Sequence, residues 1–212
     1  MKVFAVSRRT TALITVSQLF TYAVPLLSFP LLVRAFSIDD YGLSLEISTI
    51  ASLMFSLFIP GLGNAFNSLW LRGEDRSRTL TSAAVLYFGC GLALSTIILL
   101  LAKPISELIT HQPFGVELLR LVAAQPLIMA LLAFYTELFR QRQQPLMNAS
   151  LEISQGLLRA LIAILAFLSQ NLILLAVLQT FLPAILVIIF GAVVLRVKGT
   201  WGALDLAHAH SM

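Results

Sequence analysis

Apolar positions in this chain run on rather than alternate with polar ones. No charged side chain occurs at positions 10–33, 79–102 or 160–195. A hydrocarbon core about 30 Å thick needs roughly 20 apolar residues in a helix rising about 1.5 Å per residue. In lipid, only a helix satisfies every backbone amide within its own segment. The pattern therefore predicts helices at residues 11–34, 42–64, 79–102, 118–139, 147–168 and 172–195. The expected fold class is all-α, a polytopic membrane helix bundle of six transmembrane helices. Residues 199–212 carry no periodicity and are expected as a disordered tail.

The breaks between runs carry turn chemistry. Asp39-Asp40-Tyr41-Gly42 predicts a turn with an aspartate cap for the second helix. Residues 72–78 form a charged loop, Lys103-Pro104 ends the third helix, and residues 111–115 and 140–145 are further links. Ser169-Gln170-Asn171 predicts a minimal hairpin between the last two spans. Prolines 25, 30, 126 and 183 fall inside spans and invite bends, which membrane helices tolerate.

Charge adds an orientation. Lys2, Arg8, Arg9, Arg72, Arg76, Arg78, Arg140, Arg142, Arg196 and Lys198 all fall on one side of the predicted bundle. Only Arg34, Lys103 and Arg120 fall on the other. The positive-inside rule then places both termini in the cytoplasm. The net charge of +4 is loop charge, and no basic stripe interleaved with aromatics suggests nucleic acid. At 58% hydrophobic and 11% charged residues the chain departs from soluble averages of about 45–50% and 25%. Lys2, Arg8 and Arg9 before an apolar stretch imitate a signal peptide, but the stretch is too long and equally apolar ones follow, so it reads as a first span.

The polar residues within the spans are the candidates for chemistry. Asn148, Glu152, Gln155 and Arg159 are spaced 4, 3 and 4 apart, on one face of the fifth helix. Arg159 falls near mid-membrane, where a charge costs at least about 2.5–3.5 kcal/mol on insertion scales. Two readings follow: an internal ion pair with Glu152 or Glu46, or the cationic wall of a water-filled cavity. A weaker stripe on the second helix comprises Glu46, Thr49, Ser56, Asn64 and Asn67, with a kink at Pro60-Gly61. The first helix contributes Thr11, Thr15, Gln18 and Tyr22. Gly61-Leu62-Gly63 suits tight helix packing. Glu107, His111 and Glu117 read as solvated loop residues. Cys90 lies in an apolar run and serves packing. With no phosphate-binding glycine loop, metal-ligand spacing or nucleophile elbow, neither an enzyme, a metal site nor a cofactor is expected.

Residues 31–42 (LLVRAFSIDDYG) and 58–66 (FIPGLGNAF) resemble the start of polysaccharide (O-antigen type) flippases of the multidrug/oligosaccharidyl-lipid/polysaccharide exporter superfamily. In that family a Leu-rich helix end, an acidic-Tyr-Gly turn and a Gly-Leu-Gly-like segment follow one another. A Gln/Arg-rich link precedes helix five, as residues 139–145 do here. The resemblance covers roughly residues 8–198. Pro60 stands where relatives often carry an acidic residue, so no role transfers to that position.

The resemblance implies a transporter in the bacterial inner membrane that moves undecaprenyl-pyrophosphate-linked oligosaccharide to the outer leaflet. It implies two six-helix lobes around a cationic cavity. This chain matches the first lobe only, leaving a second lobe or a parallel homodimer to complete the passage, or marking a truncated remnant. Arg159 would face the pyrophosphate or an acidic sugar, with Gln18, Asn148 and Gln155 bonding sugar. Two alternatives remain open: a non-transporting membrane scaffold, and a drug/cation antiporter using Glu46 or Glu152 as its buried carboxylate.

Overall fold

The computed structural model describes residues 8–71, 76–109 and 113–209. All elements among the described residues are α-helices: α1 (Arg8–Ala35), α2 (Ile38–Leu71), α3 (Arg76–Leu100), α4 (Ala102–Ile109), α5 (Pro113–Val122), α6 (Gln125–Gln141), α7 (Pro145–Ser169) and α8 (Leu172–Ala209). Six stretches are long and apolar enough to cross a membrane, with α5 and α6 together making the fourth. Leu26, Leu27, Leu168 and Ile188 are exposed on the outside of the bundle, the arrangement expected where lipid rather than water is the solvent.

The fourth span is the most enclosed, half buried over its most apolar window against 22–28% for the others. It is also broken. Sequence predicts one helix over 118–139, whereas α5 ends at Val122 and α6 starts at Gln125. Pro126 is the cause: it has no N–H for the Val122 carbonyl, and its ring crowds that oxygen. The backbone tightens there, with the Ala123 amide bonding Arg120 O at 3.4 Å. Ser95 of α3 reaches the new helix start, its hydroxyl accepting the Leu127 amide at 3.2 Å. An otherwise orphaned donor is thereby satisfied inside the bundle. By contrast, α1 continues through Pro25 and Pro30, and α8 through Pro183.

Other boundaries also shift. Ser37, not an aspartate, caps α2: its Oγ accepts the Asp40 amide at 3.1 Å and donates to Asp40 Oδ2 at 2.7 Å. The Ser37 hydroxyl thus satisfies one orphan amide of the first turn, and the helix starts four residues before the expected 42. α2 then stays helical through Pro60-Gly61 to Leu71. Its 34 residues extend about 51 Å, more than a hydrocarbon core requires. The chain beyond Lys103-Pro104 is not a loop but the short helix α4. Residues 199–209, expected as disordered, continue α8; Ala203, Leu204, Leu206 and Ala207 are good helix formers. Lys2, Arg72, His111 and residues 210–212 lie outside the described residues.

Helix seams are set by small residues, though not at Gly61, and at Gly63 a Cβ would meet Tyr87 Oη and Glu137 Oε1 only at ordinary contact distances of 3.5 and 3.6 Å. Nothing stands within 4 Å of a side chain built at Gly61. A Cβ at Gly91 of α3 would lie 2.9 Å from both Leu127 Cα and Ala130 Cβ of α6. One at Gly156 of α7 would lie 2.7 Å from the Phe20 ring of α1. These two close approaches let α3 pack on α6 and α1 on α7. Two links close with left-handed residues. Gln143 (φ 53°) ends α6 with Gln144 N–H bonded to Phe139 O and Gln143 N–H to Arg140 O, a Schellman arrangement. Gln170 (φ 48°) ends α7, and Asn171 Oδ1 caps α8 by accepting the Leu174 amide at 3.1 Å.

Candidate functional site

Where α2, α6, α7 and α8 face one another they leave a cavity of about 250 Å³. Its walls are mostly apolar, with Ile128, Met129, Leu132, Leu158, Ile162 and Leu186 among them. Its polar groups are Ser48 and Ser52 from α2, Gln125 from α6, Gln155 and Arg159 from α7, and Gln179 and Thr180 from α8. Arg159 is the one ionic side chain in this lining. It sits 14 residues after Pro145 and 10 before Ser169, well inside the span. Among the described residues no carboxylate lies within 4 Å of it: the ion pairs found are Lys103–Glu107 and Arg140–Glu137.

The sequence stripe on α7 splits into two halves with different duties. Gln155 and Arg159 line the cavity. Glu152 turns to α1 instead. Its Oε2 accepts the Ser17 hydroxyl at 2.6 Å and its Oε1 accepts the Asn148 amide at 2.9 Å. Ser17 is fully buried. Glu152 and Asn148 are therefore part of the α1–α7 seam, and neither lines this cavity. Gln18 and Glu46 are exposed on α1 and α2 and also lie outside its lining. The internal ion pair of Arg159 with Glu152 or Glu46 does not form.

Five polar cavity residues had no place in the sequence reading: Ser48, Ser52, Gln125, Gln179 and Thr180. Signals for them exist. Ser48, Ser52 and Ser56 are four apart, a cleaner stripe on α2 than Glu46-Thr49. Gln125 immediately precedes the proline that breaks its span, and Gln179-Thr180 interrupts an otherwise apolar run. The Thr180 and Ser52 hydroxyls are spent on Ala176 O and Ser48 O, both at 2.8 Å, which leaves the Ser48 hydroxyl, the glutamine amides and Arg159 as the cavity's remaining donors.

A second cavity of about 500 Å³ follows along the α2–α6 seam. Ser52 lines the first cavity and Ser56, one turn on, the second. Asn64, Asn67, Tyr87, Glu137, Arg140 and Gln141 complete its polar wall. Arg140 pairs with Glu137 at 3.1 Å, and Gln141 Nε2 donates to Asn67 Oδ1 at 2.8 Å. Among the described residues no cluster of His, Cys, Asp or Glu could hold a metal ion.

A family model described as polysaccharide biosynthesis protein matches residues 7–209. No curated protein and no solved structure matches the chain.

Proposed function

The chain belongs to the polysaccharide biosynthesis protein family, and from that premise we propose that it is one lobe of a lipid-linked oligosaccharide flippase. The carrying observation is Arg159, a guanidinium in a mid-span cavity with no carboxylate beside it. An uncompensated cation at that depth is costly unless it serves an anion. Guanidinium matches phosphate oxygens two at a time, which suits the pyrophosphate of an undecaprenyl-linked sugar. Gln125, Gln155 and Gln179 add donors and acceptors for the hydroxyls next to it.

A cavity of about 250 Å³ holds a pyrophosphate or one ring, not an oligosaccharide. It is one wall of a passage, completed by a second lobe or a parallel copy and opened by alternating access. The broken fourth span, with Gln125 at its break, supplies irregular backbone beside the cavity, where bilayer-embedded chains tolerate it. The proposal involves no bond chemistry and no cofactor, and it sets the basic end and both termini in the cytoplasm of a bacterial inner membrane. An antiporter built on Glu152 is disfavoured because that carboxylate is committed to Ser17 and Asn148.

The test is binding of undecaprenyl pyrophosphate to the full chain in nanodiscs. Arg159→Ala should weaken it about tenfold or more, the range for a hydrogen bond to a charged group. Arg159→Lys should recover part of the loss. Binding by Arg159→Ala at wild-type strength refutes the assignment.

A further inference from the structure

The second cavity has a buried group with nothing to do. Tyr87 is 1% exposed, and its hydroxyl lines this cavity without a hydrogen-bond partner. A buried hydroxyl is seldom left so. The ring packs against Phe134 at 5.8 Å between centroids, which restricts where the hydroxyl can turn. The same lining holds the amides of Asn64, Asn67 and Gln141 and the carboxylate of Glu137.

Charge narrows the ligand. The wall holds one carboxylate and one guanidinium, Glu137 and Arg140, already paired at 3.1 Å. The pair neutralises itself, so the site attracts neither an anion nor a cation strongly. What remains is the Asn64 amide, the Asn67 N–H2 and Gln141 carbonyl left over from their mutual bond, the second Glu137 oxygen and a phenol, together with Phe55. That set matches a neutral molecule with hydroxyls on its edge and C–H bonds on its face.

We infer that this second cavity binds a neutral pyranose ring, with Tyr87 Oη, Asn64 and Asn67 bonding its hydroxyls and Phe55 covering its apolar face. It rests on the proposed function only for the source of the ring, a lipid-linked headgroup rather than a free sugar. The site lies on the same α2–α6 seam as Arg159's cavity, toward the end of the bundle that carries Arg140.

The experiment is saturation-transfer NMR of methyl glucopyranoside with the full chain in phospholipid nanodiscs; maltoside detergent is avoided because its headgroup would compete. Saturable transfer is expected. Tyr87→Phe, which removes one unpartnered oxygen and leaves packing intact, should weaken it about fivefold, within the range for one hydrogen bond. Asn64→Ala should do likewise. Thr96→Ala on the same helix, whose hydroxyl is spent on Leu92 O, should bind as wild type. No saturable transfer, or equal binding by Tyr87→Phe and Asn64→Ala, overturns the site. Competition by an undecaprenyl-linked sugar assigns the ring to the lipid headgroup; competition by free sugar alone assigns it to a soluble saccharide. The two ideas fail separately. Absent glycoside binding beside an intact Arg159→Ala defect removes only this site, and the converse result removes only the flippase assignment.

Discussion

Replacing Ser17 by alanine tests whether Glu152 is part of the helix seam or of the transport path. Ser17 is fully buried on α1, and its Oγ donates to Glu152 Oε2 of α7 at 2.6 Å, bridging residues 135 apart in sequence. Hydrogen bonds to charged groups contribute about 1.5–3 kcal/mol in soluble proteins. Interhelical bonds in membranes average about 0.6 and reach about 1.7 kcal/mol, because the separated helices also find partners. A charged acceptor puts Ser17 at the upper end of the membrane range, so Ser17→Ala should destabilise by about 1.5 kcal/mol. Almost no cavity term is added, since one oxygen is lost. Ser28→Ala on the same helix is the control. Its hydroxyl donates to Val24 O of its own helix at 2.7 Å, and its loss should stay within about 0.5 kcal/mol. The assay is reversible SDS-driven unfolding followed by helicity, closed with a double-mutant cycle of Ser17→Ala and Glu152→Gln. Equal stability of the two serine variants, or a coupling near zero, would show that Glu152 is not held by α1. Ser17→Ala should leave undecaprenyl pyrophosphate binding unaltered, because Glu152 does not line the Arg159 cavity.

Two further predictions concern the seams and turns. Gly91→Ala should be less stable than Gly89→Ala by about 1–3 kcal/mol, the usual penalty for overpacking. The new methyl meets Leu127 backbone at 2.9 Å in the first case and open space in the second; identical SDS midpoints would refute the close α3–α6 approach. Gln143→Gly should stabilise by about 0.5–1 kcal/mol, read as a raised unfolding midpoint, because glycine adopts φ 53° without the side-chain penalty. A lowered midpoint would mean that the Gln143 side chain makes a contact worth more than the strain.

Long charge-free runs announce membrane helices because bilayer thickness is a one-dimensional constraint, read directly from length and hydropathy. That reasoning reached the six spans, and the quoted motifs reached the family. It located Arg159 and Gln155 because a polar group in such a run is conspicuous. It failed where position along a helix had to be converted into a neighbour. The 4-3-4 spacing put Asn148, Glu152, Gln155 and Arg159 on one face, yet that face is wide enough to meet α1 at one end and a cavity at the other. The single span expected at 118–139 looked continuous because Pro126 resembled Pro25 and Pro183. Only α3, offering Ser95 to the Leu127 amide, shows how the break is stabilised.

The sequence by itself determined how many helices enter the bilayer, because each must satisfy its own backbone and be apolar over the full thickness. Only the tertiary structure decided that Glu152 belongs to Ser17 and that Arg159 is left unpaired. It also decided that Ser48, Ser52, Gln125 and Gln179 share that arginine's cavity. The physical reason is that hydrogen bonds and ion pairs act over about 3–4 Å. Which side chains come that close depends on how helices with no contact in sequence are pressed together at points such as Gly91 and Gly156.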